Sequence, residues 1–450
     1  MTRKNINTVI DKLFFLICPF LLLGIYLEYT NFILCLIFIF LRLITTNKDT
    51  AGVFLILFGG LLGGVTRHVY PSIPIYGLIV AAIGLVLLLK NIRTFIYKGK
   101  KSICFLIIVF FIFFIAYLYG PKHSYSNNKL IGLISNGLLF LFAYFVINAS
   151  HKFSNIAISQ LLLLTTVSYF VAAIESYGYG KPSGFFDYTW YRISSSHFSF
   201  DDKSDYINYQ QVGMNALYGF AFIIGYNHEW GGTRRIFKFI FYATCLQLIL
   251  LSGARQAIFG LAILLFLKIS FFSEAHSYAK KTITIILGVT TLYLFVIFIN
   301  NLGIDFLSTV LDRQGDIYSI TGRGENFTRA FQIISKYPLW GLGLGGYSPE
   351  NMSIYPHNII LEILCECGII GLTALLIVTL MFFKSNKLSL RHMTANGTYL
   401  ILILVCVFVR AFVSSDLTES IALFSGIFAM GIQTKPISVV NNFATPKQTI

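Results

Sequence analysis

Charge is scarce in this chain. Asp, Glu, Lys and Arg make up only 12% of its 450 residues and 56% are hydrophobic, whereas a soluble domain carries roughly 25% charged residues. With a mean hydropathy of +0.74, a soluble globule is excluded. Cysteine is sparse too. The seven (Cys18, Cys35, Cys104, Cys245, Cys365, Cys367 and Cys406) all fall in apolar segments, and an odd number so placed argues against a disulfide framework. Cys365 and Cys367 stand too close along a helix to share a face, which argues against a metal site there. No internal repeat, low-complexity run or interdomain linker interrupts the sequence. No small-residue cleavage site follows MTRKNINTVIDK, so a retained first helix is expected rather than a removed signal peptide.

What the chain does have is apolar runs of near-spanning length. They cover 12–28, 31–45, 51–66, 73–89, 103–120, 130–149, 156–175, 213–227, 236–251, 256–273, 282–300, 357–383, 397–415 and 418–433, against a requirement of ~20 residues per helical span. Several are short, so the expected fold is an all-α polytopic membrane protein of twelve to fourteen transmembrane helices, one integral membrane domain over residues 1–450.

The net charge of +15 suggests nucleic acid until its distribution is read. With the N-terminus in the cytoplasm, 22 of the 34 Lys and Arg residues fall on the inside, notably Lys90, Arg93, Lys98, Lys100 and Lys101. This is the positive-inside pattern, and the basic balance is topology signal. Two long interruptions, 176–212 and 301–356, and the short turn before Arg255 then all face outside.

The first long loop is dense in aromatics, among them Tyr177, Phe185, Tyr188, Trp190 and Tyr191. Such rings suit either the lipid headgroup belt or the faces of sugars. In the second, Phe327, Ala330, Phe331 and Ile334 recur at helical spacing, which predicts a short amphipathic helix on the membrane surface or capping a cavity. Pro338 ends it, and four glycines between Gly341 and Gly346 allow backbone to approach a ligand closely.

Three groups stand out chemically. His357 opens a membrane helix after Pro356, where the positive end of the helix dipole favours the neutral imidazole, ready to accept a proton near pH 7. A plain helix-capping role is the alternative. Arg255 begins a helix on the same side, and Arg323 and Arg329 stand in the second loop. The guanidinium fork suits phosphate oxygens, although a snorkelling anchor is an equally simple role for any one of them. Glu366 lies nine residues past His357, about 180° around the helix and roughly 13 Å deeper, so the two are not a dyad. Leu361, Leu364, Gly368 and Gly371 continue the histidine stripe and are expected to pack on neighbouring helices. Glu366 needs a partner inside the bundle or a proton.

The succession LSGARQAIFGL, GRGENFTRAFQIISKYPLWGLGLGGY and HNIILEILCECGIIGL over residues 240–375 resembles the O-antigen ligase and polymerase family of bacterial surface-polysaccharide assembly. The resemblance implies a glycosyltransferase of the inner membrane, active on the periplasmic face and using an oligosaccharide carried on undecaprenyl pyrophosphate, without metal, nucleotide or other cofactor. It implies that Arg255 and Arg323 bind the pyrophosphate as it leaves and that His357 takes a proton from the acceptor hydroxyl. Arg329, Gly343, Gly345 and Asn358 complete the implied substrate-binding set. The lipid bilayer, a flippase and a chain-length regulator are the implied partners; nucleic acid is not. The ligase pattern continues past Gly-x-x-Gly with Thr and Pro, where this chain has Leu372 and Thr373. That departure and the two external loops favour a polymerase, with a ligase next and a lipid-linked sugar transporter third.

Overall fold

The computed structural model describes residues 48–49, 51–57, 76–149, 209–225, 242–243, 245–246, 249, 254–271, 323–348, 355–386, 395–413 and 415–432. The first aromatic loop up to residue 208, residues 301–322 and several expected spans lie outside them. Among the described residues the regular structure is all helical: α1 Tyr76–Leu88, a 3-10 turn Leu89–Asn91, α2 Ile92–Tyr119, α3 Ser124–Ala149, α4 Tyr209–Gly225, α5 Arg255–Phe271, α6 Arg323–Lys336, α7 Ile359–Asn386, α8 Ala395–Val413 and α9 Leu417–Met430. Among the described residues, three stretches are long and apolar enough to cross a membrane: Ala81–Tyr119, Ser124–Asn148 and Ile359–Asn386. The protein is an all-α polytopic membrane protein.

The basic stretch 90–101 departs from expectation. A connection between two spans is expected there, yet the chain stays helical from Ala81 to Tyr119, 39 residues or about 58 Å. That is about twice the thickness of a hydrocarbon core. Residues 102–119 suffice to cross it, and the Lys-bearing part of α2 continues the rod beyond. The apolar part is two-faced: Leu106, Val109, Phe113 and Ala116 are buried, while Ile107, Phe111 and Leu118 are exposed. That is the stripe of a helix with one side in a bundle and one in lipid.

The helices run in register. Gly132 of α3 lies against Thr418 of α9, the Ser425 hydroxyl donates to the Gly137 carbonyl at 2.8 Å, and Asn148 Nδ2 donates to the Ile432 carbonyl at 2.9 Å. Thus α3 and α9 are parallel, held by small residues and polar side chains bonding across the contact. Tyr119 bonds near the start of α7 and Lys101 bonds Ser385 near its end, so α2 and α7 are antiparallel. Gly260 of α5 meets Leu217 of α4, and Lys268 bonds the Ile224 carbonyl. Together these contacts bring the starts of α3, α7 and α9 and the ends of α2 and α8 to one end of the bundle, with α6 docked there on α7, while α4 and α5 run parallel to each other. Lys98, Lys100, Lys101 and Lys384 lie toward the other end.

Candidate functional site

The α7 helix does not begin at His357. It begins at Ile359 with Asn358 as its cap, whose Oδ1 accepts from the Ile360 and Leu361 amides at 3.0 and 3.1 Å. This satisfies two of the amides that a helix start leaves orphaned. Asn358 Nδ2 donates to the Phe412 carbonyl at 3.1 Å, tying the cap to the end of α8. His357 precedes the cap in a left-handed conformation, φ 56°, which is uncommon for a residue with a side chain. The expectation that histidine opens the helix is corrected by one residue: asparagine has the short oxygen that reaches those amides. The half-buried imidazole lies 4.3 Å, centroid to centroid, from the Tyr355 ring. Burial raises the Tyr355 hydroxyl to about 12, helped by Glu419, Asp416 and Glu362 and opposed by Arg410. Tyr355 is therefore a neutral hydrogen-bonding group near neutral pH.

Beneath this corner lies a partner for Glu366. Lys129 of α3 places its Nζ 2.5 Å from Glu362 Oε1 and 2.6 Å from Glu366 Oε1, with all three side chains at most 1% exposed. The two acids are one helical turn apart, so one ammonium bridges both. Removing one member of such a buried group costs about 3–5 kcal/mol, because the rest stay desolvated and unpaired.

The Gly-rich turn docks against a break in α7. Gly368 has φ 64° and ψ −170°, so α7 is two helical pieces and not the continuous stripe expected from its spacing. The turn supplies the backbone partners that the break removes. Ile369 and Ile370 donate to the Pro338 and Leu339 carbonyls, and Leu342 and Gly343 donate to Cys365 and Glu366. Backbone groups in a membrane domain need such internal partners. The close approach that the glycines permit is made to the protein itself: a Cβ on Gly343 would stand 2.1 Å from the Gly120 Cα, and one on Gly345 2.7 Å from the Ser126 Cβ.

The amphipathic helix α6 sits on top. Ala330, Tyr347 and Cys365 form a small buried core with Ile334, and the Tyr347 hydroxyl donates to the Asn326 carbonyl at 2.8 Å. Arg329 lies over the Tyr347 ring at 5.3 Å. Of the apolar residues at helical spacing, Ala330 and Ile334 pack inward, whereas Phe327 and Phe331 are exposed, as are Leu339 and Trp340. An aromatic edge of this kind suits the headgroup belt.

Arg255 is the first residue of α5 and Arg323 the first of α6, and α6 docks on the first piece of α7, just past His357. Two ionic groups at the His357 end of the bundle escaped the sequence reading. Lys129 and Arg410 were counted only as outside charges, although each adjoins or interrupts an apolar run, and an ionisable residue in a span is by default a functional candidate. Arg410 pairs with Glu419 at 2.6 Å.

No curated protein matches this chain. Residues 239–376, about a third of the chain, match the family model described as O-antigen ligase; these residues include Arg255, Arg323 and His357, so this part of the chain is similar to the O-antigen ligase family.

Proposed function

We propose that the protein is an O-antigen polymerase, joining undecaprenyl-pyrophosphate-linked oligosaccharide repeat units on the periplasmic face of the bacterial inner membrane. The observation that supports this reading is that Arg255, Arg323 and His357 all fall within the matched residues 239–376, Arg255 opening α5, Arg323 opening α6 and His357 preceding the Asn358 cap of α7. The concentration of Lys residues at the opposite end supports a cytoplasmic assignment for that end and an external one for the site.

In this mechanism an acceptor hydroxyl attacks the anomeric carbon of the donor sugar. The new C–O bond forms as the bond to the pyrophosphate oxygen breaks, and undecaprenyl pyrophosphate leaves. His357 takes the acceptor proton, while Arg255 and Arg323 carry the charge that grows on the leaving group. Arg329, Gly343, Gly345 and Asn358 complete the proposed binding set, with the last three acting through the backbone geometry that they fix. The reaction uses no metal or other cofactor. A flippase supplies the donor, and a chain-length regulator is the expected partner.

The second reading is an O-antigen ligase, transferring the chain to lipid A-core. The Gly-x-x-Gly after HN favours it; Leu372 and Thr373, and the external loops, favour the polymerase. Gel profiles of surface glycolipid from a deletion strain separate the readings. A single repeat on the lipid core means polymerase. A bare core with accumulated lipid-linked polymer means ligase, and lipid-linked sugar trapped on the cytoplasmic side means a transporter. In the polymerase, His357→Ala is expected to abolish chain extension while the protein stays inserted and abundant; long chains in that variant overturn the catalytic role. Arg255→Lys is also expected to fail, since one ammonium does not reproduce the guanidinium fork.

A further inference from the structure

A cavity of about 220 Å³ opens between α3, α4, α8 and α9, lined among others by Asn136, Tyr144, Tyr218, Arg410, Glu419 and Ser420. None of these residues belongs to the proposed catalytic or pyrophosphate-binding set. The cavity lies close to it: Asn358 bonds the carbonyl of Phe412, two residues beyond Arg410, and Tyr355 experiences the charges of Arg410 and Glu419. Arg410 and Glu419 form one contact, Nη2 to Oε2 at 2.6 Å, and keep 30% and 49% of their side chains accessible. Tyr218 lines the cavity beside the pair. The Arg410 guanidinium carries five N–H donors, more than the contact with Glu419 uses.

The chemistry of this lining is selective. An acyl chain would meet apolar wall at Phe140, Ile403 and Val407 but is disfavoured, because it would desolvate an ion pair without replacing its hydrogen bonds. An anion is disfavoured as well, because the Glu419 carboxylate stands against the guanidinium that would receive it. Paired opposite charges, amides and hydroxyls with two tyrosine rings instead suit a neutral, hydroxyl-rich ring, whose hydroxyls both donate and accept while its C–H face lies on an aromatic surface. We infer that this cavity binds the neutral sugar ring of the acceptor, holding it so that its free hydroxyl is presented toward His357. The inference rests on the proposed glycosyl transfer for the identity of its ligand. It divides the site into a pyrophosphate side, with Arg255 and Arg323, and a sugar side, where Arg410 is balanced by Glu419.

The test uses the full chain in phosphatidylcholine nanodiscs and saturation-transfer NMR. Probes are the methyl glycosides of glucose, galactose and N-acetylglucosamine, each with its 1-phosphate as a donor-like counterpart. At least one methyl glycoside is expected to bind, with its 1-phosphate at least tenfold weaker. Glu419→Gln is expected to weaken the glycoside about tenfold and to admit the 1-phosphate, a reversal that general loosening of the fold does not produce. Asn136→Leu, on a different helix, is expected to weaken both and serves if the Glu419 variant does not fold. Binding that prefers the 1-phosphate, binding unchanged in both variants, or no binding by any glycoside overturns the inference. His357→Ala provides the separation from the proposed reaction. Persistent polymer synthesis in that variant sinks the catalytic reading and leaves the binding result standing. Loss of polymer with glycoside binding unaffected by Glu419→Gln sinks the sugar site alone.

Discussion

Two ionic groups lie at the same end of the bundle, and they differ in what their unused capacity faces. Lys129, Glu362 and Glu366 are sealed, at most 1% exposed, with the ammonium bonded to both acids. Arg410 and Glu419 border a cavity and remain partly accessible. A sealed cluster joins the elements that carry it, here α3 to the first piece of α7. An open pair has donors and acceptors to offer a ligand. Residue types alone do not make this distinction; burial and geometry do.

The largest effect expected is on the sealed group. Lys129→Met leaves two buried carboxylates without a counter-charge and is expected to cost about 3–5 kcal/mol, seen as lost membrane yield and a lowered unfolding temperature in detergent. Neutralising all three, with Lys129→Met, Glu362→Gln and Glu366→Gln together, is expected to recover most of that loss. Arg410→Met, at the open pair, is expected to cost only about 1 kcal/mol or less. Equal losses at the two places would erase the contrast between them.

The joint that the sealed group supports is tested next. A Cβ on Gly368 would stand 2.2 Å from the Leu339 carbonyl oxygen, at a positive φ. Gly368→Ala is therefore expected to cost at least the roughly 1–2 kcal/mol of left-handed strain, with the Gly-rich turn shifted away from α7. Gly132→Ala is the control: its Cβ would lie 3.3 Å from a Thr418 methyl, a contact relieved by a few tenths of an ångström. Proteolysis within the turn and thermal unfolding compare the pair, and a Gly368→Ala protein as resistant as the control would show that the break is not needed.

The same contrast explains what was legible in the sequence. Apolar length announced the membrane helices, since hydropathy is local, and the amphipathic spacing of α6 was visible for the same reason. The HN pair marked the start of α7 to within one residue. The need of Glu366 for a partner was legible from its depth, but the partner was not: Lys129 lies 237 positions away, and pairing at that separation is a property of the packing. The break at Gly368 was hidden because the apolar pattern continues through it. Only the docked turn, with carbonyls ready to receive the Ile369 and Ile370 amides, makes the break tolerable in a membrane helix. Gly343 and Gly345 were read as approaching a ligand; their freedom is needed first for Gly120 and Ser126.

A smaller effect is expected from pH. Tyr355 is raised to about 12 in the folded protein, against about 10 for a free phenol. Its neutral form is thus favoured by folding, and the associated stability is complete below pH ~10 and is lost as pH rises toward 12. Unfolding temperature is expected to show no Tyr355 contribution from pH 7 to 9.5. Above pH 10 the parent is expected to lose more stability than Tyr355→Phe, by about 1 kcal/mol or less at pH 11 after solvent screening. Identical alkaline curves would mean that the phenol is not held beside the acids of α7 and α9.

The smallest stability effect separates packing from substrate binding at Arg329. Its guanidinium lies over the ring of the buried Tyr347, a contact worth about 0.5–1 kcal/mol at a partly exposed site. Arg329→Gln is expected to lower stability by no more than that, since Ala330, Ile334 and Cys365 still hold α6 on α7. Chain extension gives the informative readout. A residue that only packs leaves the polysaccharide profile intact once the modest stability loss is restored by lower growth temperature. A residue that also grips the donor pyrophosphate loses at least tenfold in polymer yield under the same conditions, because a neutral amide does not replace a charged fork. The second outcome is expected if the site extends from α5 across α6; the first would confine it to Arg255, Arg323 and His357 and assign Arg329 to the same supporting role as Lys129, on the outer surface of the joint.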